Sequence, residues 1–198
     1  MDSDGNKIDR ALRAEADDLL WRRGLHALLE KYGRAHLTGS YALKLMTWRD
    51  LDTYLVGDEI SVADFFNLGS EIAELLTPTK MHFRNEREAK SEGLPEGLYW
   101  GVYLGDEREG AWKIDIWAVN PGQFTVLDDY CNEIESKLTA STRSKILEIK
   151  SQCWMKPGYR RRYSSSDIYD AVLNEGVNNL AAFNEYLKRV RNCAIEDA

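Results

Sequence analysis

The sequence has no run approaching the roughly twenty apolar residues a helix needs to cross a bilayer. Its first residues, Met1-Asp2-Ser3-Asp4-Gly5-Asn6-Lys7, lack the basic region and apolar stretch of a secretory signal. No membrane partner is therefore expected, and a cytoplasmic location is. Cysteine is sparse: Cys131, Cys153 and Cys193 form an odd set at wide spacings without a Cys-x-x-Cys pair, which argues against a disulfide framework or a zinc knuckle. His26, His36 and His82 are scattered without ligand spacing, so no histidine-metal site is expected. Positive charge is in deficit. With 26 Lys+Arg against 33 Asp+Glu the formal charge is −7, so the global field repels polyanions and long nucleic acid is a disfavoured partner. Internal repeats and long low-complexity segments are also missing.

What is present suits one domain, or one core with a helical appendage. The 198 residues are enough to bury a hydrophobic centre, and 43% hydrophobic with 30% charged content is that of a folding globular chain. Apolar residues recur at three- and four-residue intervals over 7–32, which predicts a helix that Gly24 bends or splits and Gly33 ends. A strand over 34–38 precedes Gly39-Ser40, and a short helix is predicted over 41–46. Alternation predicts a strand over 50–56, ending at Gly57-Asp58. Ser61 is placed to cap a helix over 62–76, followed by a strand near 80–84 and a loop over 85–97. The runs 98–104 and 111–119 flank a glycine-bracketed turn and predict a β-hairpin, closed by Asn120-Pro121-Gly122. If the hairpin is symmetric about its turn, Trp100 stands across from Asp115. Beyond it, two helices over 125–154 with a break near 139–142, a helix capped by Ser165 or Ser166, and a last helix over 178–192 make an all-helical carboxyl third. The fold class expected is α+β: a mixed β-sheet with flanking helices over 1–121, and a helical region over 122–198.

The chemistry gathers on a spaced set: Gly39-Ser40, then Asp50-Leu51-Asp52, then a distant acid in Lys113-Ile114-Asp115-Ile116-Trp117. Along a strand Asp50 and Asp52 project to one side, about 6–7 Å apart at their backbones, while Leu51 points into the core. Asp115 has the same framing between Ile114 and Ile116. Carboxylates brought this close repel one another unless a cation neutralises them. Mg²⁺, which prefers oxygen ligands and substrate phosphates, is the expected ion. Two such ions roughly 3.5–4 Å apart clamp the attacking and leaving oxygens of an in-line phosphoryl displacement. Gly39 lets backbone approach a phosphate, and Ser40 opens the following helix with its hydroxyl toward an anion. Lys44, Arg49 and Lys113 are further candidates to contact phosphate. Arg160-Arg161-Arg162, with Lys156 and Tyr159, is a local basic run whose default state is solvated.

These residues resemble the DNA polymerase β-like nucleotidyltransferase superfamily, whose signature is a Gly-Ser turn, an acid-x-acid strand and a later third acid. The resemblance covers about residues 34 to 119. It implies that Gly39 and Ser40 grip the triphosphate of an NTP, and that Asp50 and Asp52 bind two Mg²⁺ ions. Asp115 then helps bind metal or activates the acceptor hydroxyl. In size the chain is similar to the aminoglycoside and lincosamide nucleotidyltransferases and to the minimal nucleotidyltransferases of toxin–antitoxin pairs. Many minimal members read Gly-Ser-x-Ala-Arg-Gly at the turn; this chain reads Gly39-Ser40-Tyr41-Ala42-Leu43-Lys44, a departure that bears on the role of Lys44. The implied activity is transfer of a nucleoside monophosphate to an acceptor hydroxyl with release of pyrophosphate, the 122–198 helices forming the acceptor-binding region. The acceptor is a small hydroxylated molecule, a protein side chain or an RNA 3′ end, and the acidic charge favours the first. A nucleotide-binding protein without turnover is the alternative from another class.

Overall fold

Alternating side chains along five strands build one mixed sheet in the computed structural model, which describes residues 4–57 and 60–197. The strands are β1 (Arg34–Thr38), β2 (Asp50–Val56), β3 (Lys80–Asn85), β4 (Gly97–Tyr103) and β5 (Lys113–Val119). Their order is β1-β2-β5-β4-β3. β2 and β5 run parallel, and every other neighbouring pair is antiparallel. The fold class is therefore the expected α+β mixed sheet with flanking and carboxyl-terminal helices.

One face of the sheet is dry. Leu51, Leu55, Leu98, Trp100, Val102, Ile114, Ile116 and Ala118 point into a core shared with α1 (Asp4–Asp17), α2 (Leu25–Leu29) and α4 (Val62–Leu76). Ser61 caps α4 as expected, its hydroxyl accepting from the Asp64 backbone N–H at 3.0 Å. The helix predicted over 7–32 is split. α1 runs into a π-helical turn, Asp18–Arg22, and Gly24 at φ 88° restarts the chain as α2.

A second cluster fills the space among α6 (Pro121–Lys137), α7 (Ala140–Cys153), α8 (Ser165–Leu173) and α9 (Leu180–Val190). α6 starts directly at Pro121, capped by Asn120, whose side chain accepts from the Gln123 N–H; proline suits this position because a first-turn N–H has no intrahelical partner. α8 is capped by Ser164, not Ser165 or Ser166, because Asp167 reaches back to the Ser164 N–H and completes a reciprocal box. No helix among the described residues is long and apolar enough to cross a membrane.

Three further expectations are corrected. The helix predicted over 41–46 is a single turn, α3 (Gly39–Ala42). Lys44 takes φ 58°, and Arg143 of α7 donates to the carbonyls of Leu43 and Lys44. The chain can then send Leu43 and Leu45 into the helical cluster and Met46 into the sheet core, a tertiary demand that overrides helix continuation. The 85–97 loop holds a short helix, α5 (Glu86–Ala89), anchored where Glu86 accepts from the Ser91 N–H. Third, the hairpin is not symmetric. Gly101 pairs with Asp115, and Trp100 pairs with Ile116, a one-residue slip that turns Trp100 into the core and Tyr99 onto the face of the acids. The turn expected at Gly57-Asp58 lies partly outside the described residues.

The Trp100 contact is tight enough to test. A Cβ on Gly69 of α4 would lie 2.8 Å from two atoms of the Trp100 ring, and the indole N–H is held by the Phe65 carbonyl at 2.8 Å, so the ring has little freedom to retreat. In an exposed helix interior Gly→Ala stabilises by about 1 kcal/mol. Gly69→Ala is expected to do the reverse, losing ~1–3 kcal/mol by overpacking. Urea denaturation measures it; a variant as stable as the parent would show that α4 does not seat on this ring.

Candidate active site

Parallel pairing of β2 with β5 sets Asp52 beside Asp115 and Asp50 beside Lys113. The three acids thus share the second sheet face, and one oxygen from each lies within 4.8 Å of the others. Among the described residues this is the group of acids, histidines and cysteines able to hold a metal ion. Gly39 closes the site from above. Its φ of 62° is left-handed, and a Cβ there would stand 2.3 Å from Asp52 Oδ2, so glycine is required by both conformation and space.

The electrostatics are those of a site short of positive charge. Burial raises the pKa of Asp50, opposed by Lys113 and reinforced by Asp115. Burial, with Asp50 and Asp115 adding to it, raises Asp52 further. For Lys113, burial pulls the amine down, but Asp50 and Asp115 outweigh it and the net shift is upward. Its ammonium touches Asp115 Oδ2 and lies 3.7 Å from Asp50 Oδ1. Tyr99 donates to Asp115 Oδ1 at 2.6 Å, and burial and that carboxylate raise its phenol.

A cavity of about 250 Å³ opens from this point between the sheet and the helices. Asp50, Asp52, Gly39 and Ser40 form its sheet side, with Tyr130, Lys150, Ser165 and Tyr169 on the helical side. Two polar oxygens here, Ser40 Oγ and Asp50 Oδ1, are buried without a hydrogen-bond partner. Such orphans carry a desolvation cost unless a ligand meets them. A hard, oxygen-only donor set with unmet oxygens fits Mg²⁺. Lys150 is 1% exposed, and its amine donates to the Leu45 carbonyl at 3.0 Å and to the Tyr169 hydroxyl at 3.4 Å, in ion-pair contact with no carboxylate among the described residues, its charge acting on Asp50 and Asp52 from longer range.

Of the residues named from sequence, Gly39, Ser40, Asp50, Asp52, Asp115 and Lys113 come together. Lys44 and Arg49 do not join them. Lys44 is exposed, and Arg49 is committed to Glu15, at 2.6 and 2.9 Å, and to the Gly110 carbonyl at 3.1 Å. All three arginines of the run are exposed, but Arg160 is not free: it pairs with Glu107 at 2.8 Å and lies 5.2 Å from the Trp48 ring centroid. Burial lowers the Arg160 pKa, but Asp50 and Glu107 raise it more. Sequence reasoning missed Tyr99 and Lys150. A signal existed for the latter, since Ile146, Ile149, Lys150 and Cys153 hold one helical stripe and Lys150 is its lone charge.

No family model matches the chain, and none of the curated proteins does. Solved structures do. A MgGTP-bound structure of the Cid1 poly(U) polymerase aligns at 16% identity over 86% of this chain and 50% of that one, with a TM-score of 0.50. A second Cid1 structure, described for its RNA terminal uridylyl transferase activity, aligns at 16% identity over 87% and 55%, with a TM-score of 0.50. The chain thus spans about half the length of the solved structures it matches. The fold is that of the DNA polymerase β-like nucleotidyltransferases, and it carries an Asp-x-Asp plus Asp triad suited to divalent metal.

Two outcomes follow from this geometry. Mn²⁺ or Mg²⁺ should raise the melting temperature, by the equivalent of about 2.7 kcal/mol at a hundredfold excess over Kd. The rise should vanish in Asp52→Asn, which in chelator should melt no lower than the parent because a buried, unneutralised charge is gone. Gly39→Ala should push the Asp52 carboxylate aside and weaken Mn²⁺ binding at least tenfold, read by titration calorimetry; unchanged affinity would show that Gly39 does not set the position of Asp52.

Proposed function

We propose that the chain is a Mg²⁺-dependent nucleotidyltransferase that moves a nucleoside monophosphate from an NTP to an acceptor hydroxyl and releases pyrophosphate. The observation that carries this reading is the convergence of Asp50, Asp52 and Asp115, the first two lining one cavity with Gly39 and Ser40. Asp50 and Asp52 would hold two metal ions, with Asp115 completing the set. When bound, the ions neutralise charge developing on the attacking and leaving oxygens.

The chain's own residues do the rest by positioning and charge complementarity. Gly39 leaves room for a phosphate against the backbone, and the unpartnered Ser40 hydroxyl donates to a phosphate oxygen. Lys150, a buried cation with no acid in ion-pair contact among the described residues, balances the triphosphate from the helical side, which also supports NTP rather than a neutral ligand. Tyr130, Trp117 and Tyr169 offer aromatic surface for base and sugar. Asp115, oriented by Tyr99, would accept the acceptor hydroxyl proton only once Lys113 has left its Oδ2. Lys44 and Arg49 would act on phosphate only after leaving the positions described above. The MgGTP in the Cid1 structure is in keeping with a magnesium nucleotide as donor.

For the acceptor, a small hydroxylated molecule is the reading favoured by the −7 charge, with the 122–198 helices shaping its site. Incubation with each α-labelled NTP, Mg²⁺ and three acceptor classes (an aminoglycoside or lincosamide, a protein, an RNA oligonucleotide) tests it. Label should enter the small molecule, with pyrophosphate released. Asp50→Asn and Asp52→Asn should each lose at least ~10³-fold in rate while keeping the parent's circular dichroism. Label on RNA or protein would reassign the acceptor, and NTP binding without pyrophosphate release for any acceptor would leave a nucleotide-binding protein in place of an enzyme.

A further inference from the structure

The three carboxylates are not equally available. Both oxygens of Asp115 are already engaged, Oδ1 by the Tyr99 hydroxyl and Oδ2 by the Lys113 ammonium. Lys113 is 2% exposed, and its ammonium reaches across to Asp50, 3.7 Å away. Asp50 Oδ1 receives no hydrogen bond from any described residue, and Asp52 lines the cavity beside it. The cavity wall repeats the division, since it includes Asp50 and Asp52 but not Asp115.

We propose that Lys113 is a resident cation: its ammonium fills the position between Asp50 and Asp115, so the metal-free chain offers one open divalent position, at Asp50 and Asp52. Asp115 becomes a ligand only when Lys113 leaves. The inference rests on the nucleotidyltransferase reading of the site and adds an order of loading to it. Charge sets that order. Three carboxylates and one ammonium are made formally neutral by a single divalent ion, so a second ion would leave the site net positive unless a triphosphate brings its own negative charge. The second ion and the nucleotide then arrive together, and Lys113, released from Asp115, turns its donors to phosphate. Lys113 is placed for this by register, because β5 carries it two residues before Asp115 on the same face and β2 sets it beside Asp50.

Mn²⁺ alone, titrated into the full chain without nucleotide and followed by calorimetry and by the electron paramagnetic signal of free Mn²⁺, tests the proposal through a double-mutant cycle. The wild-type chain should bind one ion. Asp115→Asn should change that affinity by less than about threefold in the wild-type background, because the lost carboxylate was occupied. In a Lys113→Gln background, where Asp115 is free to ligate, affinity should first rise about tenfold or more, and adding Asp115→Asn should then remove that gain. Equal cost of Asp115→Asn in both backgrounds overturns the proposal, since it would mean that Asp115 contributes only its charge. A large loss in the wild-type background overturns it as well, and that arm stands even if Lys113→Gln does not fold. Failure of the wild-type chain to bind Mn²⁺ at all would instead remove the metal-site reading beneath it.

Discussion

Crowding of like charge on two neighbouring strands is the constraint from which the rest of this structure follows. Parallel pairing of β2 with β5 brings Asp52 level with Asp115, and a one-residue slip between these strands would turn Leu51 away from Ile114 and Ile116 in the core. Packing on the dry face therefore enforces repulsion on the wet one. The protein meets that repulsion in part with Lys113, Tyr99 and, at longer range, Arg160, and leaves the remainder unmet at Asp50 and Asp52. A scaffold that tolerates unmet charge beside a cavity is one whose stability is coupled to what enters it.

Much of this was legible in the chain itself. Period-two alternation places Asp50 and Asp52 on one face and Leu51 on the other without reference to any partner, and the framing of Asp115 by two isoleucines carries the same information. The mixed sheet, the cap at Ser61 and the helical carboxyl third follow from local patterns of the same kind. What was not legible depends on distant groups. The hairpin between β4 and β5 slips by one residue relative to its turn, so Tyr99 rather than Trp100 faces the acids; a period of two makes any single slip exchange the faces. Arg160 looked like one of three solvated arginines because its partners, Glu107 and Trp48, are far away in sequence. Lys150 broke an apolar stripe, a clue whose meaning appears only when the Leu45 carbonyl is found against its amine.

Around the site the aromatic residues divide by function of place. Trp100 stacks near Phe65 under the sheet, while Trp117 pairs with Tyr99 on the cavity side at 4.7 Å between ring centroids. Trp48 and Trp154 lie nearly parallel, 9° apart, and Arg160 lies over the Trp48 ring. Arg108 donates to the Trp154 carbonyl at 3.1 Å, so the β4–β5 turn is tied to the helical region by two arginines from opposite sides.

The segment running from Leu43 to Met46 belongs to both cores, with Leu43 and Leu45 on the helical side, Met46 on the sheet side, and the Leu45 carbonyl held by Lys150. Inheritance in this fold is thereby linked: the carboxyl-terminal helices cannot be exchanged between lineages as a cassette unless these few residues are exchanged with them. Divergence among these helices is then expected to leave its trace next to the Gly-Ser turn, in a stretch from which Leu43 also reaches the cavity wall.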